Sequence, residues 1–186
     1  MNSHLDINYN EVERLPLYKL KEGMPGITQA FGECLAQAAS VCLEDQKHES
    51  NTKLSVDGDF KKIYALLWEE VTEQIRRCWG DEEVTTEHGA YGIAIILIPR
   101  LTEMTIIERS RKGTGFDYWL GSKSNLETLF QEKARLEVSG IRNGTEAQIR
   151  SRVKKKLEQT NKSDGSLPAI VAVVEFSEPR SHIVKK

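Results

Sequence analysis

The sequence predicts an α/β fold: one mixed central sheet with a strand–strand–strand–helix–strand core, flanked by helices. Three observations carry this expectation. In the first half, apolar residues recur at three- and four-residue steps, the period of an amphipathic helix. In the second half, β-branched runs and alternating segments replace that period. Between the last two of those strand-like segments lies one helical stretch rich in Arg and Lys. A chain of 186 residues has room for one core, and no composition shift marks a second domain.

Residues 1–25 read as an irregular polar segment, with Pro16 interrupting a short apolar stretch. A helical part spans 26–80. From Gly26 to Lys47, Ile27, Ala30, Phe31, Cys34, Leu35, Ala38, Val41 and Cys42 form one apolar face, and Pro25 suits the first turn. The alternation at Lys53–Val56 predicts a short strand, and Asp57-Gly58-Asp59 a turn. A second helix is predicted from Phe60 to Cys78, capped by Asp59 and ended by Gly80.

The sheet core is expected over 90–178. Ile93–Ile98 is continuously apolar and β-branched and reads as a buried strand. Met104–Glu108 and Gly115–Leu120 read as a hairpin joined by the basic turn Arg109-Ser-Arg-Lys-Gly113. A polar loop and a short amphipathic segment lead to a strand at Ala134–Ser139. Asn143-Gly144 makes a turn, Thr145 is the expected N-cap, and Ile149, Val153 and Leu157 mark the inner face of the basic helix. Ser163–Ser166 breaks that helix, Ala169–Phe176 is the most apolar strand, and the tail after Glu178 is polar.

Composition narrows the function classes. The longest apolar run, Ile93–Leu101, contains Pro99 and Arg100 and falls well short of the roughly 20 residues of a membrane span. The polar N-terminus lacks the order of a signal peptide, so a cytoplasmic protein with no membrane partner is expected. Three cysteines without a CxxC pair and four scattered histidines support neither a disulfide framework, nor a zinc site, nor a Ser/His/Asp triad. The net charge of -2 hides an asymmetry. Met1–Arg100 carries 10 Lys+Arg against 17 Asp+Glu, whereas Leu101–Lys186 carries 16 against 11. The basic half is suited to phosphate.

Two carboxylates stand out. Asp117 interrupts one apolar strand and Glu137 the next, and a buried unpaired carboxylate is costly. By strand alternation Asp117 lies opposite Phe116, Tyr118 and Leu120, and Glu137 opposite Leu136 and Val138. If the strands pair, both acids can share one face, where a hard divalent cation would relieve their repulsion. Two unrelated solvent-facing acids would satisfy the same spacing.

An Asp in the second strand of a hairpin, a Glu in the third, then a helix and a further strand resembles the PD-(D/E)xK, restriction endonuclease-like nuclease superfamily, over about Met104–Phe176. The resemblance implies Mg²⁺- or Mn²⁺-dependent hydrolysis of phosphodiester bonds, most naturally in DNA. It makes Asp117 and Glu137 both catalytic and metal-binding, with the Val138 carbonyl as a third metal contact and Glu33, on the first helix, as a further acid. Ser139 stands where the motif lysine belongs. In some members that lysine has moved to the following helix, which here makes Lys156 the first substitute and Lys154 the second. Arg109, Arg111, Lys112 and Arg150 are the expected nucleic-acid contacts, and Trp119 is placed to stack on a base or to pack. So small a chain would look to a partner protein or a second copy for target choice. The missing lysine leaves a second reading, a catalytically inactive nuclease-like subunit that binds nucleic acid or assists assembly, and a third, a small α/β protein of unrelated function.

Overall fold

The computed structural model describes residues 12–123, 131, 134–163 and 167–186. The chain runs β1 (Glu13–Pro16), a 3-10 turn (Leu17–Glu22), α1 (Gln29–Asp45), β2 (Thr52–Gly58), β3 (Lys62–Leu67), α2 (Glu73–Cys78), α3 (Glu82–Leu101), β4 (Met104–Arg109), β5 (Tyr118–Ser122), β6 (Ala134–Ile141), α4 (Glu146–Gln159), β7 (Ala169–Glu175) and β8 (Arg180–Lys185). Three expectations lie wholly or partly outside the described residues: the irregular segment up to 11, the polar loop with its amphipathic segment over 124–133, and the helix break at 164–166.

Among the described residues, all eight strands form one mixed sheet, in the order β1-β3-β2-β8-β7-β6-β5-β4. The hairpin expected from Met104 to Leu120 is present: β4 and β5 pair antiparallel, from Met104 with Ser122 to Arg109 with Tyr118. β5 pairs antiparallel with β6 through Leu136, Arg135 and Ala134, and β6 pairs parallel with β7. The parallel step requires a crossover, which α4 supplies.

The pleat sorts the sheet's two faces. Leu136, Val138, Ile170, Ala172 and Val174 join the main core with α1 and α3, whereas Val171 and Val173 pack against Ile149 and Val153 of α4. Arg135, Glu137 and Ser139 alternate with Leu136 and Val138, so they face α4. Thr145 caps α4 as expected: Thr145 N–H donates to Gln148 Oε1 at 2.7 Å, and Gln148 N–H to Thr145 Oγ1 at 3.4 Å.

The structure corrects four expectations. Ile93–Ile98 is helical, in the second half of α3, and is buried on all sides between α1 and the sheet. A helix buried all round loses its amphipathic period and reads like a buried strand. Phe60–Cys78 is not one helix. Its apolar spacing suits either period, but Lys62–Leu67 finds backbone partners on both edges, β1 and β2, and becomes β3. Asp59 therefore caps no helix; its carboxylate accepts the Lys185 N–H at 2.6 Å. The polar tail contains β8, which lies between β2 and β7 and buries only Ser181 and Ile183. The N-terminal segment includes β1 and the 3-10 turn.

One glycine sets the geometry around the later strands. A Cβ on Gly140 would lie 2.5 Å from the Thr86 carbonyl oxygen, so only glycine allows α3 to approach β6 this closely. That approach brings the first half of α3 over the edge of β6.

Candidate active site

Asp117 lies one residue ahead of β5, not in mid-strand. Its backbone is still held on both sides: the N–H donates to Leu136 O at 2.8 Å, and the carbonyl accepts Ser110 N–H at 2.7 Å. Because the β5 pairing stops at Leu136, the next stretch of β6 presents an open edge. Asp117 fills it, its Oδ2 accepting the Val138 N–H at 2.8 Å. In a strand, one residue's N–H and C=O project to the same edge, so the Val138 carbonyl also points toward this side.

Glu137 is 1% exposed. Its Oε1 accepts from Lys156 Nζ at 2.5 Å and from Gln159 Nε2 at 3.0 Å, both on the inner face of α4. Among the described residues, its buried Oε2 has no hydrogen-bond partner. Burial first, and then the neighbouring Asp117 charge, lift the Glu137 carboxyl from its ordinary 4.5 to about 7, against the pull of Lys156. Burial also raises Asp117, opposed by the Val138 N–H, the Tyr91 hydroxyl and the Lys156 charge.

A third wall comes from α3. The Tyr91 hydroxyl lies 2.7 Å from Glu87 Oε1 and 3.0 Å from Asp117 Oδ1. The Tyr91 hydroxyl thus bridges the two acids, its one hydrogen available to either carboxylate. The Tyr91 ring stands edge-on to Tyr118, with centroids 5.5 Å apart. Burial and the two carboxylates keep the phenol protonated by raising its pKa.

These groups line an open cleft in two connected parts. One, of about 600 Å³, is bordered by Glu82, Glu83, Ser139, Arg152 and Lys156; the other, of about 590 Å³, by Arg109, Arg111, Lys112 and Lys162. Glu87, Tyr91, Asp117, Glu137 and Gln159 line both.

The residues singled out from sequence thus fall into two groups. Asp117, Glu137, Val138, Lys156, Arg109, Arg111 and Lys112 surround the cleft. Glu33 does not: it is exposed, sits 3.7 Å from Lys21, and borders a small separate pocket beside Glu69. Arg150 is exposed and pairs with Glu146 at 3.2 Å, and Lys154 is exposed and lines neither part of the cleft. Helix geometry accounts for this, since only the Val153–Lys156 side of α4 meets β6. Trp119 packs against Phe116, with centroids 4.5 Å apart.

Sequence reasoning missed Glu87 and Tyr91. Their four-residue spacing on one helix face was the available signal, and it was hidden because the apolar run just after them reads as a strand. Arg152, one of the cations of the basic helix, donates from Nη1 to Ser139 Oγ at 2.9 Å, bringing a guanidinium to the strand position where the resemblance expects a lysine.

Among the described residues, no group of three or more His, Cys, Asp or Glu forms a metal cage. The donors present nevertheless fit a hard cation of the Mg²⁺ type, which is commonly held by one or two carboxylates with water and substrate phosphate completing its shell. The partnerless Glu137 Oε2 beside Asp117 is the observation that carries this fit. No protein-family profile, curated protein or solved structure matches this chain.

Proposed function

We propose that this chain is a divalent-metal-dependent nuclease of the PD-(D/E)xK, restriction endonuclease-like type, hydrolysing phosphodiester bonds in DNA. The order β4–β5–β6–α4–β7, with an acid ahead of β5 and another in β6, supports the assignment. The observation that carries it is the meeting of Asp117, Glu137 and Lys156 in one cleft, although they come from three separate elements.

Asp117, Glu137 and the Val138 carbonyl would hold the metal. Bound there, Mg²⁺ or Mn²⁺ supplies charge for the phosphate oxygens and acidity for a water. The protein's own groups do the rest. The Val138 N–H and Tyr91 hydroxyl orient the Asp117 carboxylate. Lys156 replaces the lysine missing at Ser139: its ammonium orients the attacking water and offsets charge developing on the phosphate. Gln159 fixes Lys156 and Glu137 relative to each other, donating to Glu137 Oε1 and lying 3.3 Å from Lys156 Nζ. Arg109, Arg111 and Lys112 hold flanking phosphates.

A second reading keeps the fold and drops the chemistry, as a DNA-binding or assembly subunit. The direct Lys156–Glu137 ion pair favours it, because a buried pair of this kind also suits a purely structural role. Incubation of the purified protein with DNA in Mg²⁺ or Mn²⁺, against EDTA and the D117N variant, separates the two. Metal-dependent cleavage lost in D117N supports the nuclease. DNA binding without cleavage in either metal supports the second reading.

A further inference from the structure

The cleft carries opposite charge on the two sides of the Asp117–Glu137 pair. On one side stand Arg109, Arg111, Lys112 and Lys162, and among the described residues none of the four has an ion-pair partner. Arg109 is held in place: its guanidinium lies 5.8 Å from the Phe31 and Tyr91 ring centroids and 6.0 Å from that of Tyr118.

On the other side, α3 presents Glu82 and Glu83, with Glu87 at the junction of the two parts. Of the cations there, Lys156 pairs with Glu137 at 2.5 Å, and Arg152, hydrogen-bonded to the neutral Ser139 hydroxyl at 2.9 Å, leaves one positive charge against three acids. Glu82 and Glu83 are exposed and, among the described residues, unpaired. First-turn acids complement the helix dipole, which accounts for them locally. Their place beside the cleft gives them a second consequence.

At 1.5 Å per residue, Glu82 to Glu87 spans about 7.5 Å of helix. That equals roughly two nucleotide steps at about 3.4 Å of rise each. A strand running straight through the cleft would carry about two phosphates along this acidic wall, within a Debye length of about 8 Å. The basic side offers the reverse, four cations along the approach to the acids.

We infer that the cleft is built for the end of a DNA strand, which lies over Arg109, Arg111, Lys112 and Lys162 and stops at the Asp117–Glu137 pair because Glu82, Glu83 and Glu87 repel phosphates beyond it. This rests on the nuclease reading above and gives that site its substrate class: free ends, not continuous DNA. In each turnover a water oxygen bonds to phosphorus as one phosphodiester P–O bond breaks. One product keeps the phosphate, and the ester oxygen of the other takes up a proton as a hydroxyl.

The test is cleavage by the full chain, in Mn²⁺ or Mg²⁺, of linear DNA and of covalently closed circles of the same sequence, single- and double-stranded. The expected result is linear DNA shortened from its ends at least about tenfold faster than circles are opened, a ratio within the range that local electrostatics imposes on charged substrates. Circles cut as fast as linear DNA overturn the inference and leave the nuclease reading standing. Cleavage of neither overturns that reading and the inference with it. In Glu82→Lys/Glu83→Lys, two exposed positions, the linear-to-circle ratio should fall about fivefold or more as the wall changes sign; an unchanged ratio also overturns it.

Discussion

Glu137→Gln should make the metal-free protein markedly more stable at pH 8 and only slightly so, by under about 1 kcal/mol, at pH 5. The buried Glu137 carboxyl titrates near pH 7 in the folded chain against about 4.5 when exposed. Its folded pKa is raised, so between those values the native state binds more protons than the unfolded one, and stability falls as pH climbs from 4.5 to 7. The gap corresponds to about 3 kcal/mol lost by pH 8. Attraction to Lys156 already opposes the shift, so the figure is net of that ion pair. A glutamine keeps the shape and accepts from Lys156 but never ionises, and so recovers up to about 3 kcal/mol, or a rise in Tm on the order of 5–10 °C for a chain of this length. Thermal melts of both proteins from pH 5 to pH 8 measure it. Wild type should lose Tm across this range relative to the variant, and Mg²⁺ or Mn²⁺ should raise the Tm of wild type alone. A variant less stable than wild type at pH 8, or a difference independent of pH, would refute the reasoning that Glu137 is held in a costly ionised state.

Asp117→Asn should abolish metal-dependent cleavage while leaving Tm equal or higher, since it removes one of two crowded carboxylates; wild-type cleavage in both Asp117→Asn and Glu137→Gln would reject the pair as the site. Lys156→Ala should lower cleavage by at least about two orders of magnitude, whereas Lys155→Ala, on the exposed side of α4, should only weaken DNA binding in a salt-dependent way. Tyr91→Phe removes a donor to Asp117 and so raises that acid further; loss of a hydrogen bond to a charged group, about 1.5–3 kcal/mol, should cost about tenfold or more in kcat/KM. The acidic limb of its pH–rate profile should move to higher pH, a shift that simple loss of packing would not produce. Gly140→Ala forces a methyl against the Thr86 carbonyl and should destabilise the fold by about 1–3 kcal/mol, seen in chemical denaturation.

Local patterns made much of the half that forms the cleft legible. The β4–β5 hairpin, β6, α4 with its Thr145 cap, and β7 each carry a period or cap within a few residues, and Asp117 and Glu137 were conspicuous as charges interrupting apolar strands. Lys156 followed from 100° steps around α4, relative to Val153. Elements defined by their neighbours were not legible. β3 is a strand because β1 and β2 flank it, and β8 because β2 and β7 do, although four of its six residues are polar. The core of α3 was misread because burial on every side erases helical period, and with it went Glu87, Tyr91 and the acidic side of the cleft. The sequence by itself determined which acids and cations exist and, for Glu137 on β6 and Lys156 on α4, on which face they sit, because those properties follow from residue type and spacing. Only the tertiary structure decided that Glu33 and Arg150 point elsewhere, that Tyr91 reaches Asp117, and that Lys156 meets Glu137. Each of those depends on contacts between segments far apart in the chain, which no local pattern encodes.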